Sequence, residues 1–317
     1  MRRSAVLWSV AWLLTLGSAV WQRVSGPTYP TRVRAAIGGS PVQAKLLRSN
    51  SINSSLAVAV TAPDTSIAGA VIWRRHPTDD PWTTTVLRRD GQRLVARLPA
   101  QPMAGKLAYR VELSRPDGSA AGFQRLELPA GRPVVARFKG DVSRALLLLH
   151  VVVIFLAMLC SARAGLEALA RGPRLQRHVA AATALMFAGG LILGPLVQKV
   201  AFDAYWTGWP IGRDLTDNKV AVAMLLWLVA WLRGRGGRDA RGWTLSAALV
   251  TLVIFVVPHS LLGSQFDYRH AAVGIAVAAR RPRFNRRSRR VPGSAPRASF
   301  AAARSRRAWP ARRAVPR

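Results

Sequence analysis

The chain has 317 residues, 50% of them hydrophobic, and 47 Lys and Arg against 14 Asp and Glu give a formal net charge of +33. Its single cysteine, Cys160, excludes an intramolecular disulfide and argues against a thiolate metal site. Several uncharged runs approach the ~20 residues that a bilayer requires, so the sequence indicates a membrane protein.

Five uncharged runs are candidate membrane spans. They cover residues 4–22, 145–162, 179–198, 220–232 and 244–264. Cytoplasmic loops collect Lys and Arg, so Arg2 and Arg3 place the N-terminus inside, together with the basic loops after the second and fourth spans. The basic residues of those two loops are Arg163, Arg171, Arg174, Arg177, Arg233, Arg235, Arg238 and Arg241. The charge pattern predicts five spans with the N-terminus in the cytoplasm.

The first span is predicted to be a membrane anchor over residues 1–24. Trp8, Trp12 and Trp21 fit an anchor with aromatic ends at the membrane surface. A cleaved signal peptide is the alternative, because Gly17 and Ala19 form a small-residue site after the apolar run.

Residues 25–141 have a different character and are predicted to form an all-β sandwich outside the cytoplasm. Short alternating runs separated by turn signals such as Asp90-Gly91 read as antiparallel strands, with no helical stretch between them. The predicted strands are residues 55–60, 69–73, 83–89, 93–98, 107–113 and 134–138.

Part of this domain resembles a known class of sandwich. The order Trp73, then DGQRLVARLPAQPMAGKLAYRVEL (90–113), resembles immunoglobulin or fibronectin type III-like domains. The resemblance implies a two-sheet fold with Trp73 and Tyr109 in its core. It does not specify an activity, because such domains serve binding, spacing and structural roles alike.

The four remaining spans are predicted to form a helical bundle over residues 142–266. Gly190 and Gly194, four residues apart, allow close approach of helices. Only 13 uncharged residues separate Lys219 from Arg233, which is about 20 Å of helix against a hydrocarbon core of roughly 30 Å. If the fourth helix extends back by one turn, Asp214, Asp217 and Asn218 lie on one of its faces.

The polar residues of these spans are expected near their outer ends. His150 and His259 lie about 9 Å and 7 Å inside the second and fifth spans, and Gln198 and Lys199 end the third. One hypothesis is a site built from His150, His259, Asp214 and Asp217. The two histidines could ligate the iron of haem b, or a divalent metal together with a carboxylate.

A purely structural interpretation competes with this site. Thr216 or Asp217 can cap the fourth helix, and Trp206 and Trp209 can lie in the interfacial belt. Lys219 can then extend to the membrane surface. Under this interpretation each histidine satisfies one hydrogen bond within the bundle.

Three segments resemble those of a group of bacterial polytopic inner-membrane proteins without an assigned activity. They are GPLVQK (194–199), YWTGWPIGRDLTDNK (205–219) and PHSLLGSQFDY (258–268). That group has an N-terminal anchor, an extracytoplasmic immunoglobulin or fibronectin III-like domain and four further spans. The resemblance implies a location in the bacterial inner membrane and adds no catalytic residue.

The C-terminal tail, residues 267–317, departs from that pattern. Residues 269–317 contain 15 Arg and no acidic residue, a composition that cannot form a core. The tail is either a basic arm for anionic lipid, cell-wall polymer or nucleic acid, or the product of a reading-frame shift in a GC-rich gene. We favour the frame shift, under which the net charge is no evidence for a nucleic-acid partner.

The sequence contains no recognisable set of catalytic residues. It does contain a sandwich domain of a type that commonly binds other proteins. It therefore predicts a non-enzymatic inner-membrane protein whose sandwich binds or positions an envelope protein. The alternative is a haem- or metal-binding membrane redox protein that uses His150 and His259. A transporter is disfavoured, because five spans without an internal repeat lack the usual inverted symmetry.

Overall fold

The computed structural model describes residues 2–117, 119, 122–212, 214–258 and 265–268. A long N-terminal helix is followed along the chain by two β-sheets and then by a bundle of apolar helices. His259 and the predicted tail beyond Tyr268 lie outside the described residues.

The helices agree with a membrane-embedded protein by length and composition. They are α1 (Arg2–Ser25), α2 (Arg144–Leu169), α3 (Leu175–Met186), a π-helical segment (Phe187–Leu193), α4 (Gly194–Phe202), α5 (Leu215–Arg233) and α6 (Arg241–Val256). Among the described residues, four helical stretches are long and apolar enough to cross a bilayer: α1, α2, α3 to α4 as one, and α5. Helix α6 is apolar but shorter, and its predicted run continues into residues 259–264. Five spans and their orientation remain predictions.

The sandwich contains five of the six predicted strands and several that the sequence pattern missed; the predicted strand 83–89 is divided into two strands that belong to different sheets. The strands are β1 (Thr31–Ile37), β2 (Ser40–Leu46), β3 (Ser49–Ser51), β4 (Leu56–Thr61), β5 (Ala68–Arg75), β6 (Thr83–Val86), β7 (Arg88–Asp90), β8 (Arg93–Leu98), β9 (Lys106–Pro116), β10 (Phe123–Leu128) and β11 (Val134–Lys139). The missed strands are β1, β2, β3 and β10. Strands β1 and β2 form a hairpin around Gly38 and Gly39, both with positive φ, which only glycine adopts readily.

Two sheets enclose one apolar core. The first sheet has the order β1-β2-β4-β8-β7, and the second has β3-β11-β9-β5-β6, with β10 also paired to β9. Tyr109 is completely buried in the core, as expected, and its hydroxyl donates to the Leu47 carbonyl at 2.8 Å. Trp73 packs against the core from its edge and is only partly buried. Its indole nitrogen donates to Thr85 Oγ1 at 2.9 Å, which explains why it stays near the rim.

The second span corrects one sequence-based assignment. Arg163 was expected in the loop after this span, but α2 continues to Leu169 and Arg163 is only 1% exposed. Glu167, one turn later, forms an ion pair with it at 2.6 Å. An arginine with a carboxylate at i+4 can remain inside a helical bundle, so this charge does not end the helix.

Close helix packing occurs at the glycines of the third span. A Cβ atom on Gly189 would lie 2.8 Å from Ile154 Cδ1, and one on Gly190 would lie 2.7 Å from Val220 Cγ1. The predicted small-residue packing is therefore observed at Gly190, against α5. Gly194 has more space, because the nearest atom outside its own helix, His150 Cε1, would be 3.7 Å from its Cβ.

We expect Gly190→Val to destabilise the detergent-purified protein by about 1–3 kcal/mol, because the added side chain overlaps Val220. The measurement is thermal unfolding. Gly17→Val is the matched control, since a Cβ at Gly17 meets nothing within 4 Å. Equal shifts in the two variants would contradict close packing at Gly190.

Candidate functional site

The loop between α4 and α5 is closed by the first residues of α5. Asp214 is the N-cap of this helix, and its Oδ1 accepts a hydrogen bond from the Thr216 amide at 2.8 Å. The expectation that Thr216 or Asp217 caps the helix is therefore wrong. Because α5 begins at Leu215, the short uncharged run is extended back by one turn, which makes this helix 19 residues long.

Asp217 is the centre of the loop's hydrogen bonds. Its Oδ2 accepts from the Thr207 amide at 2.6 Å, from Gln198 Nε2 at 3.0 Å and from Thr207 Oγ1 at 3.2 Å. The neighbouring Asn218 accepts from the Trp209 amide at 2.6 Å. Asp217 is only 6% exposed, so these donors replace the water that a carboxylate would otherwise bind. The carboxylate joins α4, the loop and α5.

The structure brings five of the ten predicted site residues together. His150, Gln198, Asp214, Asp217 and Lys219 line one cavity of about 190 Å³ between α2, α4 and α5.

The other predicted residues lie elsewhere. Lys199 forms an exposed ion pair with Asp203 at 2.7 Å. Trp206 donates to the Trp209 carbonyl at 3.2 Å, and Trp209 is 77% exposed. Asn218 holds the loop as described above, and His259 lies outside the described residues.

One ring nitrogen of His150, which lines the cavity, has no hydrogen-bond partner among the described residues. His150 makes a backbone hydrogen bond with Gly189 in the π-helical segment, while its Nδ1 is buried without a hydrogen-bond partner among the described residues. A free imidazole nitrogen can accept a hydrogen bond or ligate a cation. The described part of the chain contains no cluster of three His, Cys, Asp or Glu residues that could hold a metal ion.

The cavity does not fit haem. Pockets for drug-sized ligands start at about 300 Å³, and this cavity measures only about 190 Å³. A site for a metal ion that involves His259 stays a prediction. The described geometry supports the structural interpretation for Asp214 and Asp217, since both carboxylates are engaged in closing the loop.

The sandwich is seated directly on this end of the bundle. The Gly140 amide, just after β11, donates to the Ala201 carbonyl of α4 at 2.9 Å. Arg137 of β11 is 9% exposed, and its guanidinium lies 4.4 Å from the centre of the Phe202 ring. Burial lowers the pKa of Arg137, and the nearby charge of Asp214 partly opposes this shift. Arg137 was not predicted, because nothing in a strand pattern shows which outward residue meets another domain.

The last described segment, residues 265–268, also contacts the sandwich. The Phe266 amide donates to the Ala104 carbonyl at 3.2 Å, and the Lys106 amide donates to the Tyr268 hydroxyl oxygen at 3.0 Å. Lys106 Nζ also donates to Gln265 Oε1 at 3.1 Å. The chain that follows the last helix is therefore attached to the base of β9.

The outward side of the first sheet carries an excess of positive charge, which we call the basic face. Its members are Arg32, Arg34, Lys45, Arg88, Arg93 and Arg97, which the strand register and burial alternation place on one side. Asp90 is the acidic residue on that side. Among the described residues, no member of the basic face forms an ion pair.

The outward side of the second sheet carries two acidic residues, Glu112 and Glu127, among its cations. Arg110 lies 3.0 Å from Glu112 and 3.7 Å from Glu127. Arg125 and Lys139 on the same sheet form no ion pair among the described residues. The first sheet differs in the number of its unpaired cations, six beside the one acidic residue Asp90.

Comparisons of the chain with protein-family models, with curated proteins and with solved structures find no match. No relative therefore indicates what these surfaces bind, and their own residues are the evidence for it.

We expect Asp217→Ala to lower the free energy of unfolding by about 1–3 kcal/mol, because it leaves several buried donors without an acceptor. Asp203→Asn is the control, since it removes an exposed ion pair worth at most about 1 kcal/mol and keeps a side chain that tolerates the left-handed φ of this position. Thermal unfolding in detergent gives both values. If the two variants unfold alike, Asp217 does not hold the loop.

Proposed function

We propose that this chain is an inner-membrane protein without enzymatic activity that binds an acidic protein outside the cytoplasmic membrane through the basic face of its sandwich. The observation that carries the proposal is the set of six cations of the basic face, unpaired among the described residues and accompanied on that side by a single acidic residue, Asp90.

Electrostatics supports an acidic partner. Cations gathered on one face repel one another, and an acidic surface relieves this repulsion while raising the rate of association. Arg32 and Arg34 lie on β1 at one edge, whereas Arg93 and Arg97 lie on β8 across the sheet. An acidic partner that spans these strands would contact both groups at once.

The shape of the face supports a protein segment as the ligand. Small residues of the central strand β4, Ala57 and Ala59, form the floor of a groove of about 450 Å³. Arg32, Arg34 and Lys45 border the groove on one side and Arg93 on the other. A partner segment can therefore lie against the sheet with its carboxylates beside the guanidinium groups, where bidentate pairing is available.

The seating of the sandwich supports a positioning role. The contact at Gly140 attaches the domain to α4, and those at Tyr268 attach it to the segment 265–268 that follows the bundle in the chain. A domain held in this way presents its face at a defined height above the membrane, whereas a tethered domain would sample many orientations.

Site-specific photo-crosslinking in cells tests this function. A photoreactive residue at Ala57, in the groove, is expected to capture an acidic envelope protein. The same residue at Val86, which is 68% exposed on the second sheet, is the control and is expected to capture none.

Charge reversal identifies the cause of the capture. We expect Arg32→Glu with Arg34→Glu to reduce the Ala57 adduct by roughly tenfold or more, because like charges then face the partner. Arg125→Glu with Lys139→Glu changes the net charge equally on the second sheet and should leave the adduct unchanged. Equal losses, or adducts with lipid or polysaccharide alone, would contradict binding of an acidic protein to the basic face.

A further inference from the structure

A second cavity lies at the opposite end of α2, far along the chain from the sandwich. It measures about 600 Å³ and opens where the start of α1 meets the loop between α2 and α3. Three arginines from three different segments line it, namely Arg3, Arg163 and Arg174, against one acidic residue, Glu167. The lining therefore has an excess of positive charge.

Glu167 balances the charge of one arginine, Arg163, and leaves those of Arg3 and Arg174 without a counter-charge in the lining. Its Oε2 lies 2.6 Å from Arg163 Nη1, and its Oε1 accepts from the Arg174 amide at 3.0 Å. Glu167 is 3% exposed. It orients Arg163 and holds the loop. The guanidinium of Arg3 donates to the Ala170 carbonyl, and Arg3 and Arg174 are the exposed arginines of the lining.

Arg163 forms the inner wall and retains a donor without an acceptor. Its side chain is 1% exposed, and its Nε has no hydrogen-bond partner among the described residues. Trp8 lies under its guanidinium, with 5.5 Å between Cζ and the ring centre. A buried cationic donor of fixed orientation is stabilised strongly by an anion that accepts its free N–H.

The start of α3 adds a further attraction for anions. The N-cap of this 12-residue helix is Arg174, whose own side chain makes no capping hydrogen bond. Helix N-termini carry partial positive charge and expose amide donors that bind phosphate groups. Here that terminus adjoins the same cavity as the three arginines.

We infer that this cavity is a binding site for a phosphate group, with Arg3, Arg163 and Arg174 as its ligands. The cavity lies at the ends of apolar helices long enough to cross a bilayer, where phospholipid head groups are found. An anionic phospholipid is thus the carrier best placed to supply the phosphate. A free phosphate ion offers the same chemistry and is distinguished by experiment.

The test uses the full-length protein in a neutral detergent. Native mass spectrometry measures the binding of phosphatidylglycerol, with phosphatidylcholine as the zwitterionic control lipid. We expect Arg3→Gln with Arg174→Gln to weaken phosphatidylglycerol binding about tenfold, because two charge-assisted bonds are lost. Arg235→Gln with Arg238→Gln removes the same charge from a different loop and should leave this binding unchanged.

A parallel arm measures the rise in unfolding temperature with inorganic phosphate. Both substituted arginines are exposed, so the unfolding temperature without ligand shows whether each variant folds. A phosphatidylglycerol effect without a phosphate effect supports a lipid site. A phosphate effect that the Arg3 and Arg174 variant loses supports a site that free phosphate can reach. The inference is overturned if neither ligand binds, or if both double variants lose binding equally.

Discussion

The hydrogen bonds of the buried Asp217 carboxylate are the interaction on which the sandwich-facing end of the bundle depends. The carboxylate accepts hydrogen bonds from Gln198 and Thr207, so α4, the loop and α5 converge on one atom. In a low-dielectric setting a carboxylate is stable only when such donors replace its water. With the loop closed, Asp214 caps α5 and lies near Arg137 of the sandwich. The sandwich thus contacts α4, the helix that Asp217 joins to the loop and to α5.

This arrangement separates two kinds of charge. Charges that face the helices are engaged, as in the loop below the sandwich and in the pair formed by Arg163 and Glu167 at the other end. Charges on the basic face are left facing solvent. Burial enforces pairing, because an unpaired charge inside the protein is far more costly than one in water. Solvent imposes no such demand, so unpaired surface cations are available for a partner.

The predicted haem or metal site at His150 and His259 shows that spacing along separate helices predicts depth but not side-chain contacts. Depth estimates placed His150 level with Asp214 and Asp217, and the structure does bring them to one cavity. The same depth also suits a structural network, in which the carboxylates hold the loop and His150 bonds to Gly189. Co-location was predictable from depth, but the direction of each side chain was not. Whether His259 joins them lies outside the described residues.

The sequence pattern predicted the apolar helices, five of the strands and the change of character between the membrane half and the sandwich. These features follow from local periodicity and hydropathy, which a single segment carries. The tertiary structure alone decided that Arg163 is buried, that Arg137 meets the bundle and that Asp214 is the cap. It also assembled the basic face from strands β1, β2, β7 and β8, two of which gave no clear pattern. Such features depend on contacts between residues distant in the chain, so their free energies arise only when the segments pack together.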